Sequence, residues 1–599
     1  MKNLINLFKL FQKEDKRIIF FISILITINS IIGVFSVAII APFIKALSDS
    51  QSIESDFFLK FLYNLINTND IELFLIYFAL LVFFLQLVYT FSRTITDYFL
   101  FRTTYYLDYK LGSMLMLSYL SKPYKWFIDN NSSEISKSIL NEVDLITRGG
   151  VMPFLQLLSH SIFVVSIFFY LFFQDPFMTL AIGISLLISY FMIFKFIINK
   201  LREFGKKMFI SNENRFDVIK ETFVGIKDVK SNNAEFFLYK KFSKHALEFS
   251  KAQTFSEVST VLPKYFVELI AFVIIFSLIF ISKNTTGSFN SSLPIVSLFL
   301  TAAYRVLPSL QAIYNCISKL QYIKEPLKNI VDQLKSKKNE LFKNQLINEG
   351  SQNEIVSFKK DIILKDLCFK FPKSKLDFIT NLNLHIKKGS SIAFVGTTGS
   401  GKTTITDIIS GLLTQDSGHI LIDDFPLKFK NLKSWRSKIG YVNQNVYLLD
   451  DSIVSNVAFG IPTSQINVEK VIKCLEIACI NNFIQSELKD KHYENVGEMG
   501  VKLSGGQKQR IGIARALYRD PYLLIFDEAT SALDSETQKK VVNSIALNCK
   551  KITTITIAHR ISTVKDCDMI HIIEKGKIIE SGNYVKLSKN STIFKNLKK

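Results

Sequence analysis

Gly396-Thr397-Thr398-Gly399-Ser400-Gly401-Lys402-Thr403 decides how the second half of this 599-residue chain folds. The apolar run Ile392-Ala393-Phe394-Val395 before it predicts a strand, and Thr403 to Leu413 predicts a helix after it. A glycine-rich turn between strand and helix is the context that a phosphate-binding loop requires. Glycines let backbone N–H groups approach phosphate oxygens closely, and the helix N-terminus favours negative charge. Lys402 is then placed to pair with β- and γ-phosphates, and the Thr403 hydroxyl to ligate Mg²⁺, with Thr404 beside it. The stretch therefore predicts an α/β nucleotide-binding domain.

The rest of the chain is not one soluble fold. Its composition is 48% hydrophobic with 54 Phe, and the long apolar runs lie before about residue 320. Ile18 to Ile44, Leu73 to Ser92, Val151 to Gln174 and Pro176 to Phe194 contain no charged residue. Each is long enough to cross about 30 Å of hydrocarbon. A fifth run, Leu269 to Ser282, reaches a spanning length only by extending back past Glu268 and Lys264. A sixth, Leu293 to Ile317, contains Arg305. Six spans exclude a soluble DNA-repair or translation ATPase. The net charge of +21 suits anionic lipid or nucleic acid and by itself singles out no partner, so the expectation of membrane lipid and no nucleic acid rests on the spans. No cleavable signal peptide is expected, because the first apolar run is too long and lacks a cleavage pattern. The six cysteines form no CxxC pair and read as reduced, small hydrophobic residues.

Lys and Arg placement sets the expected orientation. The N-terminal segment carries Lys2, Lys9, Lys13, Lys16 and Arg17, and the segments 102–148 and 195–251 are rich in Lys. The loop 46–72 has Lys60 against Asp49, Glu54, Asp56, Asp70 and Glu72. Both termini, both long loops and the nucleotide-binding domain are thus expected in the cytoplasm.

Further along come Leu503-Ser504-Gly505-Gly506-Gln507 and Leu523-Leu524-Ile525-Phe526-Asp527-Glu528. The second is an apolar strand ending at two carboxylates. The first, in this order after the phosphate loop, resembles the signature of ABC-type ATPases. Gln444 in Tyr441-Val442-Asn443-Gln444, Asp534 in Ser531-Ala532-Leu533-Asp534 and His559 in Ile557-Ala558-His559-Arg560 fall in that family's order. The resemblance implies ATP and Mg²⁺ as cofactors. Asp527 is to hold Mg²⁺ through water, with Thr403 and Gln444 as the other metal contacts. Glu528 is to act as general base, supported by Gln444 and the switch residue His559. Phe371 lies where the family stacks an aromatic residue, usually Tyr, on adenine. Met499 stands where exporters often have Arg. One set of motifs per chain implies a homodimer, with Ser504 to Gln507 closing over the nucleotide of the other subunit.

The implied fold is an all-α six-helix transmembrane domain of ABC exporter type followed by an α/β P-loop ABC ATPase domain. The expected boundaries are 1–320 for the membrane part, 321–352 for a linker and 353–599 for the ATPase. Gly225 to Lys230 resembles the second coupling loop of exporters, and the first is expected within 131–145. The expected location is a bacterial cytoplasmic (inner) membrane.

Arg305 is the sequence's clue to cargo. It lies about 18 Å into the sixth span at 1.5 Å per residue. A charge there costs roughly 2.5–3.5 kcal/mol on insertion scales, so it is expected to face a cavity or a partner. Lys264 and Arg93 are weaker members of the same basic set, since Lys264 has Glu268 four residues on to neutralise it and Arg93, at the end of a full-length run, suits interfacial snorkelling better. Lys13-Glu14-Asp15-Lys16, Ser133-Glu134-Ile135, Lys137-Ser138-Ile139 and Tyr304-Arg305-Val306-Leu307-Pro308-Ser309 resemble lipid-linked-oligosaccharide flippases of bacterial protein N-glycosylation. That resemblance implies a polyprenyl-pyrophosphate-linked oligosaccharide as the anionic substrate. It also makes Phe57 to Ile66 an external helix beside the lipid tail. The alternatives are an exporter of peptides, drugs or lipid A-like lipids, and an ATP-gated channel, which intact Glu528, Gln444 and His559 disfavour.

Overall fold

The computed structural model describes residues 11–49, 51–66, 70–130, 132–286, 293–334, 357–372, 374, 376–529, 533–549, 552–558 and 561–597. In 186–202, 260–286 and 293–296 the description is largely limited to the backbone. The chain forms two compact units. One comprises Met1–Ser121 and Asn131–Asn344, the other Lys122–Asn130 and Gln345–Lys599.

The first unit is helical, and helices cover all six apolar runs. They are Lys13–Ala38 continued by Ile40–Ser48, then Ile71–Leu120, Met152–Gln174, Pro176–Val224, Glu235–Thr286 and Leu293–Tyr322. Among the described residues, three stretches are long and apolar enough to cross a membrane: Lys13–Ser48, Ile71–Leu120 and Glu134–Gln174. Local chemistry sets several starts. Gln12 and Asp15 form a capping box at Lys13. The Asp70 carboxylate accepts the Glu72 N–H at 3.0 Å. Asp175 accepts the Met178 N–H at 3.0 Å, and Pro176 fits the first helical turn, where its missing N–H goes unmissed. The helix that enters the third run contains two π-helical turns, Ser138–Glu142 and Thr147–Val151.

The segment Phe57–Ile66 is a helix of its own. Leu59 and Leu62 are buried against Ile39, Ala46, Phe74 and Phe78, whereas Phe57, Phe61 and Leu65 are exposed. The Asp56 carboxylate accepts the Phe58 N–H at its start and pairs with Lys45 at 2.8 Å.

The second unit carries two sheets. In the six-stranded sheet the order is Lys577–Gly582, Met569–Glu574, Ser391–Val395, Thr553–Ile557, Leu523–Asp527, Ile439–Val442. Its four central pairings are parallel and only the Lys577–Gly582 edge is antiparallel. Burial on both faces explains the apolar runs of Ser391–Val395 and Leu523–Asp527, whereas Thr553–Ile557 between them alternates Thr and Ile. The four-stranded antiparallel sheet has the order Ile379–Lys387, Asp361–Phe369, Ser417–Ile422, Phe425–Pro426.

The helix Tyr124–Asp129 groups with the ATPase unit, whereas 131–145, where the first coupling segment is expected, groups with the membrane unit. Within the segment expected as a linker, Lys324–Leu334 is helical. Its remainder, 335–352, lies outside the described residues.

Candidate functional site

Parallel pairing places the carboxyl ends of Ser391–Val395, Thr553–Ile557 and Leu523–Asp527 side by side. Open parallel sheets bind ligands at those ends. The glycine-rich loop leaves the first of these strands there. Gly396 has φ 155°, and a Cβ on it would sit 2.1 Å from the Ile573 carbonyl oxygen, so no side chain fits. Gly401, at φ 106°, precedes the helix Lys402–Ile409. This helix ends before the expected Leu413, at Gly411 with φ 72°. Ser400 is buried, and Thr397, Thr398 and Gly399 form the turn before it. The Lys402 ammonium donates to the carbonyls of Gly396 at 3.0 Å and Thr397 at 2.9 Å. Burial pushes its pKa down, against the opposite pull of the Glu528 and Asp527 charges.

Thr403 Oγ1 lies 3.4 Å from Asp527 Oδ1. Burial, with the neighbouring Glu528 charge second, pushes the Asp527 carboxyl up. Asp527 Oδ2 faces the Tyr441 hydroxyl at 3.4 Å, and that hydroxyl donates to Asp407 Oδ1 at 3.1 Å. Burial pushes Asp407 up to about 6 and raises Tyr441 as well. Gln444 donates its side-chain amide to Glu528 Oε2 at 2.8 Å. Glu528 has φ 51°, a left-handed conformation that costs a non-glycine residue roughly 1–3 kcal/mol and clusters at active sites. Thr403, Asp527 and Gln444 offer hydroxyl, carboxylate and amide oxygens, a donor set suited to a hard divalent cation. The glycine-lined loop with Lys402 suits the phosphates.

Not every predicted residue joins this group. His559, Ser531 and Ala532 lie outside the described residues. Asp534 caps the helix Ser535–Asn548 by accepting the N–H groups of Glu536 and Thr537. Those hydrogen bonds hold its carboxyl below the usual range. Ser504 caps Gly505–Tyr518 in a capping box with Gln507, which leaves the exposed Gly505 and half-buried Gly506 at the helix N-terminus. Among the described residues, no hydrogen bond joins Ser504 to Gln507 with the phosphate-binding loop. Phe371 packs edge-to-face on Phe369 at 5.0 Å and on Phe378 at 5.1 Å, and is half-buried. Lys125 of the helix Tyr124–Asp129 stands over the Phe369 ring at 4.8 Å and pairs with Asp416 at 3.3 Å. The same Asp416 carboxylate accepts the Lys370 N–H at 2.7 Å.

In the membrane unit, Arg305 donates to Ser36 Oγ at 2.6 Å, to the Gly33 carbonyl at 3.4 Å and to Gln86 Oε1. Its guanidinium lies 4.5 Å from the Tyr89 ring centre. Gly33 permits this, since a Cβ there would meet the Tyr89 and Phe163 rings at 2.8 and 2.7 Å. All of these partners are neutral, and no carboxylate pairs with Arg305 among the described residues. Arg93 stands 3.9 Å from Asp97 one turn along its helix, and both are half-exposed. The Lys264 side chain lies outside the described residues.

Long apolar helices joined to a phosphate-binding-loop ATPase define a membrane transporter powered by nucleotide hydrolysis. Residues 18–305 match the family described as ABC transporter transmembrane region, and 379–531 that described as ABC transporter. The chain belongs to the ABC transporter family, as an exporter-type half-transporter that binds ATP and couples its hydrolysis to translocation. It is 30% identical over 510 residues to an ATP-dependent lipid A-core flippase of Francisella novicida, covering 84% of this chain and 83% of that protein. It is 31% identical over 478 residues to the heterocyst differentiation ATP-binding protein HepA of Nostoc sp., covering 77% and 74%. A bacterial Atm1-family ABC exporter solved with ATP bound shares the fold, with a TM-score of 0.74 at 20% identity over 97% of both chains.

Proposed function

We propose that two copies of this chain form an ATP-driven flippase for an anionic, lipid-anchored saccharide of the lipid A type, in a bacterial cytoplasmic membrane with the ATPase on the cytoplasmic side. Arg305 carries this reading. It donates to Ser36, Gly33 and Gln86, which are all neutral, and no carboxylate pairs with it among the described residues. A phosphate brought within reach supplies the missing counter-charge, and moving that phosphate through bare hydrocarbon is prohibitive. The names of the Francisella relatives favour a lipid A-core cargo over the polyprenyl-linked oligosaccharide. The oligosaccharide reading keeps one supporting observation, the apolar outer face of Phe57–Ile66.

The dimer is supported from both units. Among the described residues, Ser504 to Gln507 make no hydrogen bond to the phosphate loop of their own chain. The tip between Pro176–Val224 and Glu235–Thr286 exposes Phe223, Val224, Phe236 and Phe237, an apolar cluster that a second copy would cover. At each nucleotide site Thr403, Asp527 and Gln444 hold Mg²⁺ and Glu528 orients the attacking water. His559 completes the γ-phosphate contacts, and Phe371 stacks on adenine.

Purified protein in vesicles of defined lipid tests the cargo. Labelled lipid A-core and labelled lipid-linked oligosaccharide are offered separately, and ATP-dependent transfer between leaflets is followed. Faster transfer of lipid A-core is expected. Transfer of the oligosaccharide lipid alone would reverse the order of the two readings, and transfer of neither would remove both.

A further inference from the structure

We infer that Tyr441 and Asp407 form a positioning pair that holds the Asp527 carboxylate in the orientation needed for the divalent cation. The inference rests on the reading of Thr403 and Asp527 as the metal's contacts. It goes beyond that reading by adding two residues that no phosphate-loop or Asp-Glu motif contains.

The geometry assigns one task to each oxygen of Asp527. Oδ1 faces the Thr403 hydroxyl at 3.4 Å, and Oδ2 faces the Tyr441 hydroxyl at 3.4 Å. A carboxylate held at one oxygen still swings about its Cβ–Cγ bond. Held at both, its plane is fixed. The Tyr441 hydroxyl is itself anchored by Asp407 Oδ1 at 3.1 Å and lies 3.5 Å from Thr406 Oγ1. A phenol has one proton, and here it is shared between two carboxylates, more closely with Asp407 at 3.1 Å than with Asp527 at 3.4 Å. The shorter contact is to Asp407, so Asp407 sets where the ring oxygen stands and the ring oxygen sets how Asp527 turns. Three elements converge to make this chain. Asp407 and Thr403 lie on the helix Lys402–Ile409, Tyr441 on the strand Ile439–Val442, and Asp527 at the end of the adjacent parallel strand. Register pairs Tyr441 with Ile525, two residues before Asp527, which brings the ring alongside the carboxylate. Partners that orient a metal ligand without touching the metal typically change affinity 10–100-fold when lost.

The test uses the full-length chain in detergent, with Glu528→Gln to stop turnover. Mn²⁺ serves as the probe, and its binding in the presence of ATP is measured by electron paramagnetic resonance. ATP binding without metal is measured in parallel by fluorescence of a labelled analogue. Tyr441→Phe is expected to weaken Mn²⁺ binding roughly tenfold and to leave metal-free ATP binding within twofold. Asp407→Asn, which keeps an acceptor oxygen but loses the charge, is expected to weaken Mn²⁺ binding in the same direction. Asp527→Asn is the reference. If it weakens Mn²⁺ binding while Tyr441→Phe leaves it within twofold, the positioning pair is overturned and the metal reading stands. If Asp527→Asn is silent, both fall. Should Tyr441→Phe not fold, Asp407→Asn decides the same question. A loss of metal-free ATP binding equal to the loss of Mn²⁺ binding would mean general damage to the fold, and would also overturn the pair.

Discussion

Gln444 reaches across 2.8 Å to donate its amide to Glu528, so a residue two past one strand end holds the carboxylate just past the next. Glu528 sits in a left-handed conformation with its N–H on the Ile557 carbonyl at 3.3 Å. Such strain persists where surrounding bonds over-determine it. Replacing Glu528 by Gln keeps an oxygen for Gln444 but removes the base. ATP turnover is expected to fall roughly a hundredfold or more, the usual weight of a general base. Nucleotide binding should survive. Phosphate release and retention of labelled ATP, measured on one preparation, check this. Turnover at the unmodified rate would sink the assignment.

Arg305 makes a different prediction, because its partners are fixed and neutral. Arg305→Lys keeps the charge but cannot reproduce a fork that reaches Ser36, Gly33 and Gln86 together. Arg305→Gln keeps hydrogen-bonding capacity but no charge. If charge selects the cargo, Lys retains more ATP-dependent lipid transfer than Gln, which is expected to lose about tenfold, or one decade in affinity at 1.4 kcal/mol. The reverse order would make Arg305 a structural strut between helices. Transfer rates in vesicles for the two variants, at equal protein, give the answer.

The sequence carried different amounts of information about different parts. The phosphate loop, the two carboxylates after an apolar strand and Gln444 were legible because each motif is local and its chemistry demands those residue types. The apolar runs were legible because hydrocarbon tolerates little else. The helix Tyr124–Asp129, which groups with the ATPase unit, lies just before the 131–145 stretch read as the first coupling segment. Pro123-Tyr124-Lys125-Trp126 offers no charge pattern to mark it, and what groups it with the ATPase unit is the tertiary contact of Lys125 with Asp416 and Phe369. The π turns at Ser138–Glu142 and Thr147–Val151 have no sequence signature. Tyr441 and Asp407 stayed hidden for a similar reason. They are 34 positions apart and meet only when a strand lies against the helix of the phosphate loop. A tyrosine inside an apolar strand, three positions before Gln444, is the one signal that could have found them.

Lys125 supports a prediction about coupling. It ties the turn between two membrane helices to Asp416, whose carboxylate also holds the Lys370 N–H just before Phe371. Lys125→Ala breaks the ion pair and the contact over Phe369 together. Stimulation of ATPase activity by transported lipid, expressed as a ratio to the unstimulated rate, is expected to drop toward one. Lys125→Arg should preserve most of it, since Arg also pairs with a carboxylate and stacks on a ring. Equal ratios in Lys125→Ala and the parent protein would assign this contact to assembly alone.

The last prediction concerns pH. Burial raises the Asp407 carboxyl from 3.8 to about 6, with the Asp527 charge adding to it and the Tyr441 hydrogen bond opposing it. Between those two values the folded protein keeps a proton that the unfolded chain has released. Its contribution to stability is therefore fully present below about 3.8 and is lost as pH rises through about 6. Asp407→Asn never ionises, so it escapes that loss. The variant is expected to gain in Tm relative to the parent as pH goes from 5 to 7.5, by about 2–4 °C for each kcal/mol in a domain of this size. Nucleotide-free and metal-free samples keep the comparison clear of binding effects. A Tm difference that stays flat across this window would remove Asp407 as the titrating group. A widening difference, together with weaker Mn²⁺ binding by the same variant, means that a destabilising charge is retained near Asp527 because orienting the metal's ligand requires it.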